Sequence, residues 1–355
     1  MDLDGRTSLP TTPVSAGFYM PSEWAPHSGT WLTWPKNPLT FPPRILPQVE
    51  ETFVQMAVSL SGQEQVNLLV DDQTVAEQVR KRLEKAGVHD SNLHLHLIPT
   101  GCVWIRDYGP TFLLNKRTRS RACVKWEFNA WGGKYDDLLM DNETGETIAR
   151  SAEKAGVRVF HPNIVMEGGS IDADGAGQLL TTKQCLLNPN RNPTLNQSQI
   201  SKILRDYLGV SDILWLSSGI EGDDTDGHVD DFARFFGPGR ALCNSSSNKG
   251  DANTRVLEEN EAILRAHSGL SEVVRLPMPK PLVDEEENRR LPASYANFYA
   301  ANKVVLMPAF GDEKDKEAAE ILGSCFSGRE VIPIQAQGLV FGYGGIHCAS
   351  QQEPK

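Results

Sequence analysis

Cysteine is scarce in this chain, and no two cysteines lie close together. The six thiols, Cys102, Cys123, Cys185, Cys243, Cys325 and Cys348, show no CxxC spacing. That excludes a zinc knuckle and offers no disulfide framework, so the protein reads as cytoplasmic with reduced thiols. Long apolar runs are missing as well. No stretch approaches the roughly 18 uncharged apolar residues of a membrane span, and residues 1–15, which carry Asp2 and Asp4, lack an apolar signal core. Positive charge is in deficit: 35 Lys and Arg stand against 46 Asp and Glu, a formal net charge of -11. Such a field repels phosphate backbones, which argues against nucleic acid as a partner, and attracts cations, although the same acidity serves solubility alone. Low-complexity sequence is absent, and the proline-rich stretch 35–47 reads as a surface loop. No Gly-rich phosphate loop follows the first strand-like run, which disfavours a doubly wound nucleotide-binding sheet.

The chain does contain repetition. Residues 71–86 place Val75, Val79, Leu83 and Ala86 at helical spacing, with Asp71 or Asp72 to cap the start, Gly87 to end it and a strand-like run at 93–98. The same order of helix, glycine and strand returns at 147–155, Gly156 and 157–160. It appears again at 197–208, Gly209 and 212–216, at 254–268, Gly269 and 273–276, and at 315–327, Gly328 and 330–334. Each glycine suits the left-handed conformation that stops a helix. Short strands such as 66–70 and 177–181 flank the helices, whose apolar faces need a sheet to cover them. One unit used five times predicts an α/β fold arranged as a ring, within a single domain spanning residues 1–355.

Most residues with chemical potential fall in short polar segments between these repeats. Trp104 and Asp107 lie in 104–110, Glu167 in 166–170, His228 and Asp230 in 223–231, and Cys348 in 342–348; a further segment, 292–297, ends at Asn297. In a ring, equivalent ends converge, so these groups would share a pocket. A thiol on a Gly-rich approach can meet a ligand while its neighbours stay packed. An isolated Cys is more often a small buried hydrophobe, and the other five keep that reading. His347 adjoins Cys348 but should face away from it in an extended segment, so His228, set among aspartates, is the preferred partner. The run 221–231 could also be a solvated loop or a hard-cation site. A thiol and an imidazole beside carboxylates, without a second His or Cys at metal-ligand spacing, favour covalent catalysis with no metal and no other cofactor. Trp104 beside Asp107 suits a guanidinium that can stack and be held by charge.

With these residues in place, the sequence resembles the agmatine deiminase family, relatives of bacterial peptidylarginine deiminase in the guanidino-group-modifying pentein superfamily. The resemblance runs through 20–27, 104–110, 167–170, 188–193, 224–230, 293–299 and 344–352. It implies a fivefold pseudo-symmetric α/β propeller of ββαβ-type units and a small cationic guanidinium substrate, with a homodimer as a further expectation. It also implies Cys348 as nucleophile and His228 as general acid and base. Asp107 and Asp230 would hold the guanidinium nitrogens, Glu167 would orient His228, and Trp104 would wall the slot. Gly344 and Gly345 would let the backbone approach the substrate. Tyr108, Asp226 and 343–345 depart from the family's usual residues and bear on the far end of the substrate. The resemblance points first to agmatine, converted to N-carbamoylputrescine and ammonia in a putrescine-forming route; an arginine side chain in a peptide is the alternative substrate, and a binding protein that merely kept an acidic pocket is a reading of a different class.

Overall fold

The computed structural model describes residues 12–88 and 90–355, so Asp2 and Asp4 lie outside the described residues. Helix ends follow side-chain chemistry. Before Gln197–Leu208, the Asn196 side chain accepts from the Gln199 N–H at 3.0 Å and the Gln199 side chain accepts from the Asn196 N–H at 2.9 Å. This reciprocal cap satisfies two otherwise orphaned donors. Ile200, Leu204 and Leu208 then share one buried face, and Gly209 stops the helix at φ 72°. Asp72 caps Gln73–Lys85 through the Val75 N–H at 2.9 Å. Gly87, Gly156 and Gly328 also lie at positive φ. Gly269 does not. The helix Asn253–Ala266 leaves through extended His267, whose Nε2 lies 2.7 Å from Asp212 Oδ2.

The fold is mixed α/β. Four sheets share one wiring, in which a strand pairs antiparallel with the next and that strand crosses through a helix to a parallel third. The first runs Thr111–Asn115, Arg121–Val124, Asp141–Lys154 and Arg158–Phe160. The second runs Ile171–Ala173, Gln178–Thr182, Gln197–Leu208 and Asp212–Leu216. The third runs Ala233–Gly237, Arg240–Ser245, Asn253–Ala266 and Glu272–Pro277. The fourth runs Tyr299–Ala300, Val304–Ala309, Asp315–Cys325 and Glu330–Gln335.

A fifth sheet repeats the pattern with strands from distant parts of the chain. Gln351–Pro354 pairs antiparallel with His27–Thr33, which crosses through the helix Leu46–Ser61 to the parallel strand Gln65–Val70. Gln73–Lys85 and Leu93–Leu97 add one more helix and strand to that sheet. The sequence pattern therefore took an appended helix for the first repeat, and it missed Leu46–Ser61 behind the proline-rich stretch. Pro47 sits in the first turn of that helix, where a missing N–H costs nothing.

Middle strands such as Val304–Ala309 are buried at every residue, as strands covered on both faces must be. Cys123 and Cys243 pack on such strands, and burial pushes both thiols up to about 12, which keeps them inert. Among the described residues, no helix is long and apolar enough to cross a membrane. The five polar segments all stand just ahead of the first strand of a unit: 104–110 precedes Thr111, 167–170 precedes Ile171, 223–231 precedes Ala233, 292–297 precedes Tyr299, and 342–348 precedes Gln351. Equivalent positions in five units thus carry the chemistry.

Candidate active site

Each segment holds its functional side chain on a single tight turn. Asp107 lies in the one-turn helix Ile105–Tyr108, and Asp230 in the 3₁₀ turn Val229–Asp231 directly after His228. Glu167 precedes the turn Gly168–Ser170. The turns meet closely. His228 Nδ1 lies 3.8 Å from Asp107 Oδ1 and 3.9 Å from Asp230 Oδ1, and its Nε2 lies 4.0 Å from Glu167 Oε2. A Cβ on Gly169 would sit 2.5 Å from His228 Nδ1 and 3.0 Å from Asp107 Oδ1, so only glycine leaves room for that convergence. Cys348 Sγ is 3.6 Å from Asp230 Oδ2. One carboxylate therefore faces both the thiol and the imidazole.

A cavity of about 220 Å³ opens onto this cluster, lined by Trp104, Asp107, Trp131, Gly344 and Cys348 among others. Glu167, His228 and Asp230 are fully buried beneath it. Gly344 does form part of the wall, packed so closely on Trp104 that a Cβ would come within 2.6 Å of the indole. A Cβ on Gly345 would meet Asn297 Oδ1 at 2.4 Å, so the missing side chain admits Asn297.

Several residues that complete the site were not singled out by sequence reasoning. Asn297 donates from Nδ2 to Cys348 Sγ at 3.1 Å and to Asp231 Oδ1 at 2.9 Å, while its Oδ1 accepts from the His347 and Cys348 N–H groups at 2.9 and 3.3 Å. Arg191 donates from Nε to Glu167 Oε1 at 2.6 Å and from Nη1 to Asp226 Oδ2 at 2.7 Å. That pairing leaves Glu167 Oε2 as the oxygen facing the imidazole. Trp131 donates to Asp107 Oδ2 at 3.0 Å, and Gly169 N–H donates to Asp107 Oδ1 at 3.0 Å. Trp131 stands in a run of left-handed residues, Ala130, Trp131, Gly132 and Gly133, held by Asn129 Oδ1 accepting from Gly132 N–H at 2.8 Å. Asn297 and Arg191 lie inside stretches that carried the family resemblance, but no spacing rule marks their roles. No local signal marks Trp131 either.

The electrostatics are uneven. Burial raises the Asp107 carboxyl to about 6; His228 opposes the rise, while Asp230 and Glu167 add to it. Burial also tends to raise Asp230, but its hydrogen bond to His347 and the charges of His347, His228 and Arg234 outweigh this and hold it low. The Cys348 thiol is pushed well above its ordinary range, by burial first and then by Asp230, Asp231 and Asp107. Cys348 is thus a neutral thiol among carboxylates. Both ring nitrogens of His228, Glu167 Oε2 and Asp230 Oδ1 lack hydrogen-bond partners among the described residues, which leaves two carboxylate acceptors and an unpaired imidazole turned inward. Two triplets, Glu167 with Cys185 and His228, and Asp230 with Asp231 and Cys348, bring ligand atoms within 4.8 Å of one another and could collect a thiophilic cation. An ion at either one would occupy the groups described above.

A buried thiol and imidazole gathered with carboxylates at the leading ends of ββαβ units define an α/β protein of the pentein type. Within that class the chain belongs to the Porphyromonas-type peptidyl-arginine deiminase family, whose sequence model matches residues 19–354. A Pseudomonas aeruginosa protein named agmatine deiminase is 37% identical over 374 residues, covering 98% of each chain. The structure of agmatine deiminase of Enterococcus faecalis superposes with a TM-score of 0.89 at 31% identity, over 99% of this chain and 100% of that one. An agmatine deiminase of C. jejuni with substrate bound superposes with a TM-score of 0.85 at 29% identity, over 95% and 96% of the two chains. A dimethylarginine dimethylaminohydrolase, 14% identical with a TM-score of 0.50, shares the fold.

Proposed function

We propose that the protein hydrolyses agmatine to N-carbamoylputrescine and ammonia in the cytoplasm, as one catalytic domain whose five units surround the site as a propeller. One observation carries the choice of substrate: the charged side chains lining the cavity are Asp107, Asp137 and Asp224, with no Lys or Arg among them. Agmatine is cationic at both ends and matches a cavity acidic at floor and mouth. Arginine would bring its carboxylate against the same aspartates, at a cost that like charges impose in a poorly solvated slot. Arg289, stacked at 4.1 Å over Tyr343, pairs with Asp224 at 3.0 Å and offsets its charge, so Asp107 at the floor and Asp137 carry the acidic character. Incubation with agmatine, free arginine and an arginine-containing peptide, reading ammonia and ureido product, should favour agmatine in kcat/KM by about 100-fold or more, the size of a lost charge pair. Preference for the peptide would overturn this reading.

The chemistry follows from the geometry. Asp107 and Asp230 hold the guanidinium nitrogens, and Trp104 faces the planar group. The cation offsets the carboxylates that keep Cys348 protonated, so binding itself favours transfer of the thiol proton to His228, the proton this imidazole later delivers. Sulfur then attacks the guanidinium carbon to give a tetrahedral adduct. His228 delivers a proton to one terminal nitrogen, the C–N bond breaks and ammonia departs, leaving a thiouronium on Cys348. Water, deprotonated by the same imidazole, adds to that carbon. The C–S bond breaks, and the product leaves as a urea.

Asp107 sets an acid limit. Its carboxyl titrates at about 6, so it takes up a proton and loses its hold on the cation as pH falls through that value. We expect kcat/KM to drop about tenfold per pH unit below about 6, with full recovery on return to neutral pH. A flat profile down to about pH 4.5 would remove Asp107 from the cation site.

A further inference from the structure

His347 is buried behind Cys348. Its Nδ1 lies 2.6 Å from Asp230 Oδ2 and its Nε2 lies 2.7 Å from Glu23 Oε2. A neutral imidazole has a single N–H, so one of these contacts would set lone pair against lone pair. Burial tends to raise both carboxyls, yet Arg234, His347 and Arg106 hold Glu23 low, and His347 with His228 and Arg234 holds Asp230 low. The ring thus bridges the two carboxylates directly.

The rest of this network is locked. Arg234 Nη2 lies 2.9 Å and Arg106 Nη2 3.4 Å from Glu23 Oε2, and Glu23 Oε1 accepts from the Ala300 N–H at 2.7 Å. Arg106 Nε donates to the His347 carbonyl at 3.3 Å, and Arg234 Nε lies 3.3 Å from Asp172 Oδ1. At the other end, Asp230 Oδ2 faces His347 Nδ1 at 2.6 Å and, more loosely, Cys348 Sγ at 3.6 Å, while Oδ1 has no hydrogen-bond partner among the described residues. The ring thus makes the shorter of the contacts that decide which carboxylate oxygen stays free.

Building on the deiminase reading, we propose that His347, braced by Glu23, is a positioning residue for the reaction: it pins Asp230 Oδ2 and thereby aims Oδ1 at the guanidinium. Without that clamp the carboxylate can turn about its Cβ–Cγ bond, and the cation loses one of its two anchors.

The test uses His347→Gln and Glu23→Gln in the full-length enzyme. Each is assayed with agmatine and with two thiol alkylators of similar size, cationic chloroacetamidine and neutral iodoacetamide. His347→Gln should lower kcat/KM for agmatine about 100-fold and slow chloroacetamidine about tenfold or more, with iodoacetamide changed less than about threefold. A misfolded site would change both alkylators together. Glu23→Gln leaves an acceptor for Nε2 and should shift the same ratio in the same direction by a smaller factor. If His347→Gln does not fold, Glu23→Gln decides. Equal changes in both alkylation rates, or unchanged kinetics in both variants, would overturn the proposal. Failure of the deiminase reading is separate, since the unaltered enzyme would then release no ammonia from agmatine.

Discussion

Cys348→Ala is expected to bind agmatine within a few-fold of the unaltered enzyme and to release ammonia about 10⁴-fold more slowly or not at all, the scale seen when a covalent nucleophile is removed. Binding survives because Asp107, Asp230 and Trp104 are held by contacts that do not pass through the sulfur: Trp131 and Gly169 on Asp107, His347 on Asp230, and Gly344 against Trp104. The thiol is uncharged before the ligand arrives, so its removal forfeits only the share of affinity that comes from thiolate formation on binding. Calorimetry with agmatine measures the first part and an ammonia assay the second. Substantial ammonia release from the Ala variant would refute Cys348 as nucleophile, and loss of binding would show that the pocket depends on it structurally.

Asp107→Asn is expected to lower kcat/KM about 10³-fold, with a thermal midpoint close to that of the unaltered protein. The activity loss reflects a charge-assisted contact to the guanidinium in a dry site, roughly 3 to 5 kcal/mol when one partner is removed. The stability expectation is a near-cancellation. The folded carboxyl titrates at about 6 against an ordinary 3.8, so the folded chain binds this proton more tightly than the unfolded one. The ionised group therefore costs roughly 2 to 3 kcal/mol at neutral pH, a cost that fades as pH falls through about 6. Asn removes that cost. It also turns an amide N–H₂ toward either Trp131 Nε1–H or Gly169 N–H, both of which now donate to Asp107, and a donor facing a donor costs about 1 to 3 kcal/mol. Unchanged kinetics would place Asp107 outside the site. A collapse of the melting temperature would mean that the amide clash dominates.

The repeat was legible because helix caps and apolar spacing are local: Asn196, Gln199 and Gly209 bracket their helix by contacts within a few residues. Leu46–Ser61 was hidden because Pro47 reads as a breaker unless its place in the first turn is known. Gly269 shows the reverse, a glycine in the right place whose helix stops by an extended residue instead. At the site, Cys348, His228, Glu167, Asp107 and Asp230 stood out because thiol, imidazole and acid have recognisable chemistry at equivalent places in a repeat. Asn297, Arg191, Trp131 and Glu23 act through partners 24 to 83 residues away, or farther, once the chain has folded. No linear spacing encodes such contacts. The packing of Asn297 against Gly345 was hidden for the same reason, since the two lie on different units.

The strand Gln351–Pro354 begins three residues after Cys348 and pairs with His27–Thr33, from a distant part of the chain. The segment that carries Cys348 is therefore held in place by a long-range pairing: cutting or displacing Gln351–Pro354 would leave the sheet of His27–Thr33 with a bare edge and the thiol without its anchor.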